Sequence, residues 1–216
     1  FTPMSKLRDL HKGDVPTTGG MAIAVNKVPG ATFELTSAKT SDRQGFTDKI
    51  AAGAWAKLDA ISTLTISADA QLEESVVVSI VGSGAVSYGQ LDINVEKFAK
   101  AVVIVDHIGE ASYAGNIDIN VADGASVTVV SLQDWDAKAA HLAQHRITLG
   151  RDSSAKHVLI TLGGEVVRIL PSVVYTAPTS NSATSNSAIQ DSVGNDSAGF
   201  TTTAIVPAAT TTTTAP

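Results

Sequence analysis

The chain has 216 residues, with 21 Asp and Glu against 15 Lys and Arg, and the resulting net charge of -6 argues against nonspecific binding to nucleic acid. Cysteine is absent, which excludes a disulfide framework, a Cys-ligated zinc and a thiolate-held cluster supplied by this chain alone. No stretch approaches the roughly 20 apolar residues that span a bilayer, so no membrane partner is expected.

The absence of cysteine fits a cytoplasmic protein; the amino-terminal "FTPMSKLRDLHKG" is charged from Lys6 onward, lacks the apolar core of a signal peptide and does not begin with Met. Residues 1–60 read as a mixed helical and strand region. "KLRDLH" predicts a helical turn or two, and "GGMAIAVNKVPGATFELTSA" predicts short strands broken by Pro29 and Gly30. "FTDKIAAGAWAKLDAI" is the strongest helix: Thr47 is placed to cap it, and Ile50, Ala54 and Leu58 share one face. Trp55 on that helix reads as packing.

Residues 61–175 change character. Apolar, β-branched runs recur, among them "SVVVSIV", "LDINV", "AVVIVDH", "NIDINV", "SVTVVSL" and "HVLITLG", punctuated by Gly, Asp and Ser. The one helical stretch predicted there is Asp136–Gln144. Without crossover helices a doubly wound α/β fold is excluded. The runs also repeat. Shifted by 26, "DINVEKFAKAVVIVDHIG" lies over "DINVADGASVTVVSLQDW", which puts Val95 on Val121, Val103 on Val129 and Ile104 on Val130. "RITLGRDSSAKHVLITLGG" follows about 28 residues later, with Ile147 on Ile119. Units of this length suit one turn of a coil whose strands stack on those of neighbouring turns. The expected fold is therefore all-β, a parallel β-helix; an antiparallel sandwich is the rival. Residues 176–216 are rich in Ser, Thr and Ala, with Asp191 and Asp196 the only charges, and read as a disordered low-complexity tail.

Candidate chemistry starts with the five histidines. His141 and His145 sit four apart in "HLAQH"; on a helix both imidazoles would share a face. The glutamate of HExxH is missing, and nothing in the sequence brings Asp134, Asp136 or His107 to them, so capping or surface hydrogen bonding is the expectation, with a metal-binding protein centred on His141 and His145 as the less favoured reading. Asp106–His107 and Lys156–His157 lie at strand ends, where neighbours face opposite ways, and neither makes an acid–base couple. Alternation beside Val158 and Ile160 makes His157 partly buried or coil-facing. "LGG" at 162–164 and "GSG" at 82–84 fit turns, not phosphate loops. Arg146, Arg151 and Arg168 suggest a polar surface stripe. No catalytic, cofactor-binding or metal-binding residue is assigned.

"GQLDINVEKFAKAVVIVDHIGEASYAGNIDINVADGASVTVVSLQDWD" followed by "HLAQHRITLGRDSSAKHVLITLGGEVVRILPSVVY" resembles the SufB/SufD family, in particular an actinobacterial-type SufD. "FTPMSKLRDLH" and "TDKIAAGAWAKLDAISTLTI" resemble its N-terminal motif and the lead-in to its β-helix. The likeness spans residues 1–175 and stops near Pro178. It implies a right-handed parallel β-helix and a cytoplasmic, non-enzymatic scaffold for iron–sulfur cluster assembly. The partner it implies is a SufB-like subunit, met through the β-helix. Iron or the cluster would be handled by the complex, with no cofactor held by this chain alone. The family's C-terminal domain, which carries the contact with the SufC-like ATPase and a functional histidine, has no counterpart in the residues that match. That contact is accordingly not expected, and the chain reads as a truncated form. The alternative is a secreted or surface β-solenoid that binds or processes polysaccharide, with Asp106, Asp118 and Asp134 as its carboxylates.

Overall fold

In the computed structural model, residues 4–7, 10–12, 15–37 and 46–175 are described. The tail expected at 176–216 lies outside them. The β-branched runs form a parallel solenoid with two ladders. One stacks the first half of β4 (Val76–Val95), the first half of β5 (Lys100–Val121), β6 (Ser126–Trp135) and β8 (Ser154–Thr161). The other stacks β3 (Ala60–Ile66), the second halves of β4 and β5, β7 (Ala140–Leu149) and β9 (Val166–Tyr175). The antiparallel strands β1 (Ala22–Val25) and β2 (Ala31–Ser37) close the first turn, on β4 and β3 respectively. The sandwich is thereby excluded: every ladder pair from β3 onward is parallel.

The 26-residue register is borne out. Val95 pairs with Val121, Val103 with Val129, Ile104 with Val130, and Ile119 with Ile147. Ile66, Val95, Val121 and Leu149 form one buried column, and Leu64, Ile93, Ile119 and Ile147 another. Each such side chain removes ~1.5–3 kcal/mol worth of apolar surface from water, and no single turn could bury it alone. β4 and β5 far exceed an ordinary strand because each runs through a corner, where the register shifts between Ser83 and Val86.

A second corner repeats in the backbone. Asp69, Phe98, Gly124 and Asp152 all adopt left-handed φ, at 61°, 58°, 69° and 56°. The amide of each of the first three donates to the following turn: Asp69 to Lys97 O, Phe98 to Asp123 O and Gly124 to Arg151 O, at 2.8–3.2 Å. This ladder of turns keeps one turn of the solenoid in phase with the next.

Helix α1 (Lys49–Ala56) lies against the outer face of the second ladder. Its cap is Asp48, not Thr47: the Asp48 carboxylate accepts from Ile50 N at 2.8 Å and Ala51 N at 3.1 Å. Asp48 precedes the first helical residue, where a side-chain oxygen reaches the free amides. Arg168 Nη1 ties the same carboxylate to β9 at 2.7 Å, and Asn116 Nδ2 donates to Ala51 O at 3.0 Å. Ile50 and Ala54 then pack with Leu7, Leu10, Ala114, Leu142 and Val166. Trp55 packs on Leu58 and Ile61, as a packing residue should.

This layer explains the one misplaced element. The helix expected at Asp136–Gln144 is strand β7 from Ala140 onward. His141 and His145 point into the solenoid, while Leu142 and Gln144 lie under α1 on the other side. A strand buried on both faces loses the period-2 alternation, and its apolar positions then imitate a helix. The "KLRDLH" turns are 3-10 turns at Met4–Leu7 and Leu10–Lys12. Among the described residues no helix is long and apolar enough to cross a membrane.

Candidate functional site

Going along the solenoid, the inner columns start aliphatic and turn polar. Ile80 is followed by His107, Gln133 and Thr161; Val78 by Val105 and Ser131; Leu91 by Ile117 and His145. Ser87, Tyr113 and His141 form a further column. The result is a polar rung inside the barrel of the coil. His107, Ser131, Gln133, His141 and His145 are all essentially inaccessible to solvent. The expectation of surface positions for His141 and His145 is overturned, because β7 places both on the inward face. The notion that nothing brings His107 to them is overturned too, since its ring centroid lies 4.9 Å from that of His141.

Gln133 organises the rung. Its Oε1 accepts from Trp135 Nε1 at 2.8 Å and meets His141 Nδ1 at 2.7 Å; its Nε2 donates to Ser131 Oγ at 2.9 Å. Indole N–H can only donate, so the amide orientation is fixed and the proton of neutral His141 sits on Nδ1. His107 Nδ1 lies 3.2 Å from both Leu132 O and Gln133 Nε2, so it donates to the first or accepts from the second. Tyr113 stacks on His141 with centroids 5.1 Å apart and planes 20° apart. On its other side Tyr113 lines a cleft of about 300 Å³ together with Lys57, Tyr88 and Gln90. Further along, His145 Nδ1 and His157 Nε2 share a hydrogen bond of 3.1 Å. His157 is partly buried and coil-facing, as expected.

Burial decides the charge state. It pushes His107 down to about 4, against small opposing contributions from the Leu132 and Val105 backbones. His141 is held well below the ordinary imidazole range by burial first and the charge of His107 second, against the Gly115 backbone. His145 is likewise held well below it, by burial and then by His157, His141 and His107. Desolvation also lowers His157 and raises Tyr113. The rung is a set of neutral imidazoles at neutral pH.

The remaining candidates lie elsewhere. Asp106 faces away from the lumen, its carboxyl pushed up by burial and then by the charge of Asp134. Asp134 and Asp136 are exposed. Asp118 binds Arg146 Nη2 at 2.8 Å on the outer face, so the three carboxylates make no common set. The arginines form no single stripe: Arg146 meets Asp118, Arg168 meets Asp48, and exposed Arg151 lies near Asp123 and Asp152. Among the described residues no group of three or more His, Cys, Asp or Glu is arranged to hold a metal ion. Sequence reasoning missed Gln133, Trp135 and Tyr113, although the 26-residue shift already laid His107 over Gln133.

Comparison with known proteins bears on the same region. The family described as "SUF system FeS cluster assembly, SufBD core domain" matches residues 50–214. That match runs past Pro178, where the sequence reading ended the resemblance. An iron-sulfur cluster assembly SufBD family protein of Mycobacterium tuberculosis is 36% identical over 179 residues, covering 80% of this chain and 45% of the relative. One from Mycobacterium leprae is 36% identical over 184 residues, covering 82% and 47%. The chain spans about half the length of these relatives.

Proposed function

Since this chain belongs to the SufBD family, we propose that it is a non-enzymatic scaffold subunit of the SUF iron–sulfur cluster assembly complex, located in the cytoplasm. It works by protein contact. The partner is a SufB-like subunit engaged through the β-solenoid, while iron and the cluster are handled by the assembled complex.

The observation that carries this reading is the state of the last described turn. Among the described residues β8 and β9 are each paired on one side only, with β6 and β7. Leu159, Ile160, Val174 and Tyr175 on them are all more than a third exposed. An unpaired parallel edge with apolar side chains is a template for another chain's strands. The test is co-expression of the full chain with a tagged SufB-like subunit. Retention that is lost when Ile160 and Val174 are both changed to Lys supports the reading. Absence of any complex with the unmodified chain overturns it.

A further inference from the structure

The outer face of the first ladder is apolar where a solvated sheet would be polar. Val77, Ile104, Val130 and Val158 pair in register across β4, β5, β6 and β8, and all four alternate with the lumen-facing positions. None of them belongs to a buried hydrophobic cluster, and each stays partly open to solvent. Helix α1 packs on the second ladder instead. Charge brackets this apolar row. Exposed Lys100 lies toward the start of the strands; Asp106 and Asp134 lie toward their ends, Asp134 beside Ile108. Among the described residues no ion pair involves any of the three. Asp106 Oδ1 is buried with no hydrogen-bond partner, and its carboxyl is pushed up by burial and then by the charge of Asp134. Two like charges share this end of the face and lack a cation.

We infer that this face is the contact between two copies of the chain, stacked face to face about a two-fold axis that runs along the solenoid. Such an axis reverses the strand direction of one sheet against the other. It lays the apolar row of one copy on the same row of the second, and the Lys100 end of each over the acidic end of the other. Lys100 then sits above Ile108, between Asp106 on the same strand and Asp134 on the next. A two-fold axis along the strands would instead set basic end on basic end and acidic on acidic, which costs affinity. Four strands ~4.8 Å apart and about 30 Å long make a face of roughly 19 by 30 Å. A pair of such faces buries on the order of 1,100 Å², enough for a specific but reversible dimer. Sheets stacked this way lie ~10 Å apart, a gap that a lysine side chain and a carboxylate bridge together. The inference does not depend on the scaffold role, which uses the open edge of β8 and β9.

The full chain is tested by sedimentation from about 1 to 100 µM, where a monomer–dimer equilibrium is expected. Ile104→Lys with Val130→Lys should leave a monomer throughout, whereas Val174→Lys, at the open edge, should leave the equilibrium unchanged. Lys100→Asp should weaken the dimer roughly 10-fold, and adding Asp134→Lys should recover most of that loss. Carbodiimide coupling of the unmodified chain reads the geometry directly. Within one copy Lys100 is about 20 Å along the strand from Asp106, and Asp134 lies farther still. An amide joining Lys100 to either carboxylate therefore forms only between copies. A chain that stays monomeric, or a dimer without that cross-link, overturns the interface. So does a dimer that survives Ile104→Lys with Val130→Lys, is lost in Val174→Lys, or shows no recovery on charge reversal. The cross-link decides the question by itself if the variants fail to fold.

Discussion

Tyr113 owes its position to two residues without side chains. Gly89 and Gly115 pair in adjacent strands, and a Cβ built on either would overlap the Tyr113 ring. Neither glycine has a left-handed φ, so conformational freedom is not what they supply; they supply room. Gly115→Ala therefore tests the packing of the rung with no backbone contribution from strain. A mid-strand alanine is intrinsically favoured over glycine by ~0.5–1 kcal/mol. Against this stands overpacking at ~1–3 kcal/mol, together with ~0.5–1.5 kcal/mol for the displaced stack on His141. The net expectation is a loss of about 1–3 kcal/mol.

The same substitution in a Tyr113→Ala background has the opposite sign. Tyr113→Ala alone leaves a cavity and costs ~3–5 kcal/mol. With the ring gone, the new methyl has space and the strand preference returns, so Gly115→Ala should then stabilise slightly. The cycle predicts a coupling of about 2 kcal/mol or more, against ~0.5 kcal/mol for independent sites. Urea unfolding of the four proteins, with equal m-values, measures it. Additive costs, or a single Gly115→Ala variant as stable as the parent, would refute this account of the rung.

Asp48→Ala should cost about 1–2 kcal/mol, as a lost N-cap does, and Asp48→Asn less; thermal melts in which Thr47→Ala is the more damaging change would reverse the assignment. Stability should also depend on acid. Folded His107, pushed down to about 4 by burial, refuses a proton that the unfolded chain accepts near 6.5, so its contribution is complete above about pH 6.5 and is lost as pH falls toward 4. That loss is about 3 kcal/mol from His107 alone, and a urea midpoint that stays level from pH 7 to pH 5 in metal-free buffer would contradict it. Gly124→Ala meets both a φ of 69° and the Phe98 ring at 2.5 Å, and should lower stability by ~1–3 kcal/mol; adding Phe98→Gly should recover part of the loss in the same melts. Amides of β8 and β9, with one neighbouring turn each among the described residues, should exchange faster than those of β5, and equal protection across the ladders would argue against a turn-by-turn solenoid.

The solenoid was legible because its inner columns repeat in sequence. The Asp-Ile-Asn-Val repeat gave the register outright, since Ile93 over Ile119 and Val95 over Val121 are true ladder partners. The rung was not legible, for the same reason in reverse. His107, Gln133 and Thr161 occupy one column with three different side chains, so no repeat marks them. His141 and His145 were further disguised by α1, whose cover buries the back of β7 and erases the alternation that would have shown a strand. The cap was missed by one position, because Thr47 and Asp48 are both good capping residues and only the packing of α1 through Asn116 and Arg168 chooses between them.

Exchanging aliphatic for polar groups at inner positions forgoes ~1.5–3 kcal/mol of burial per side chain, and each buried donor or acceptor left unmatched costs ~1–3 kcal/mol more. In a globular core of this size that cost would fall on the whole domain. A solenoid confines it, because each turn contacts only its neighbours. The early turns, with Leu64, Ile66, Val76 and Val78 fully buried, stack aliphatic on aliphatic and hold the coil. The later ones exchange part of that stability for His107, Gln133, His141 and His145, and Trp135, Ser131 and Tyr113 satisfy or shield most of their polar atoms. Two nitrogens, His141 Nε2 and His145 Nε2, escape this matching and are buried without a hydrogen-bond partner among the described residues.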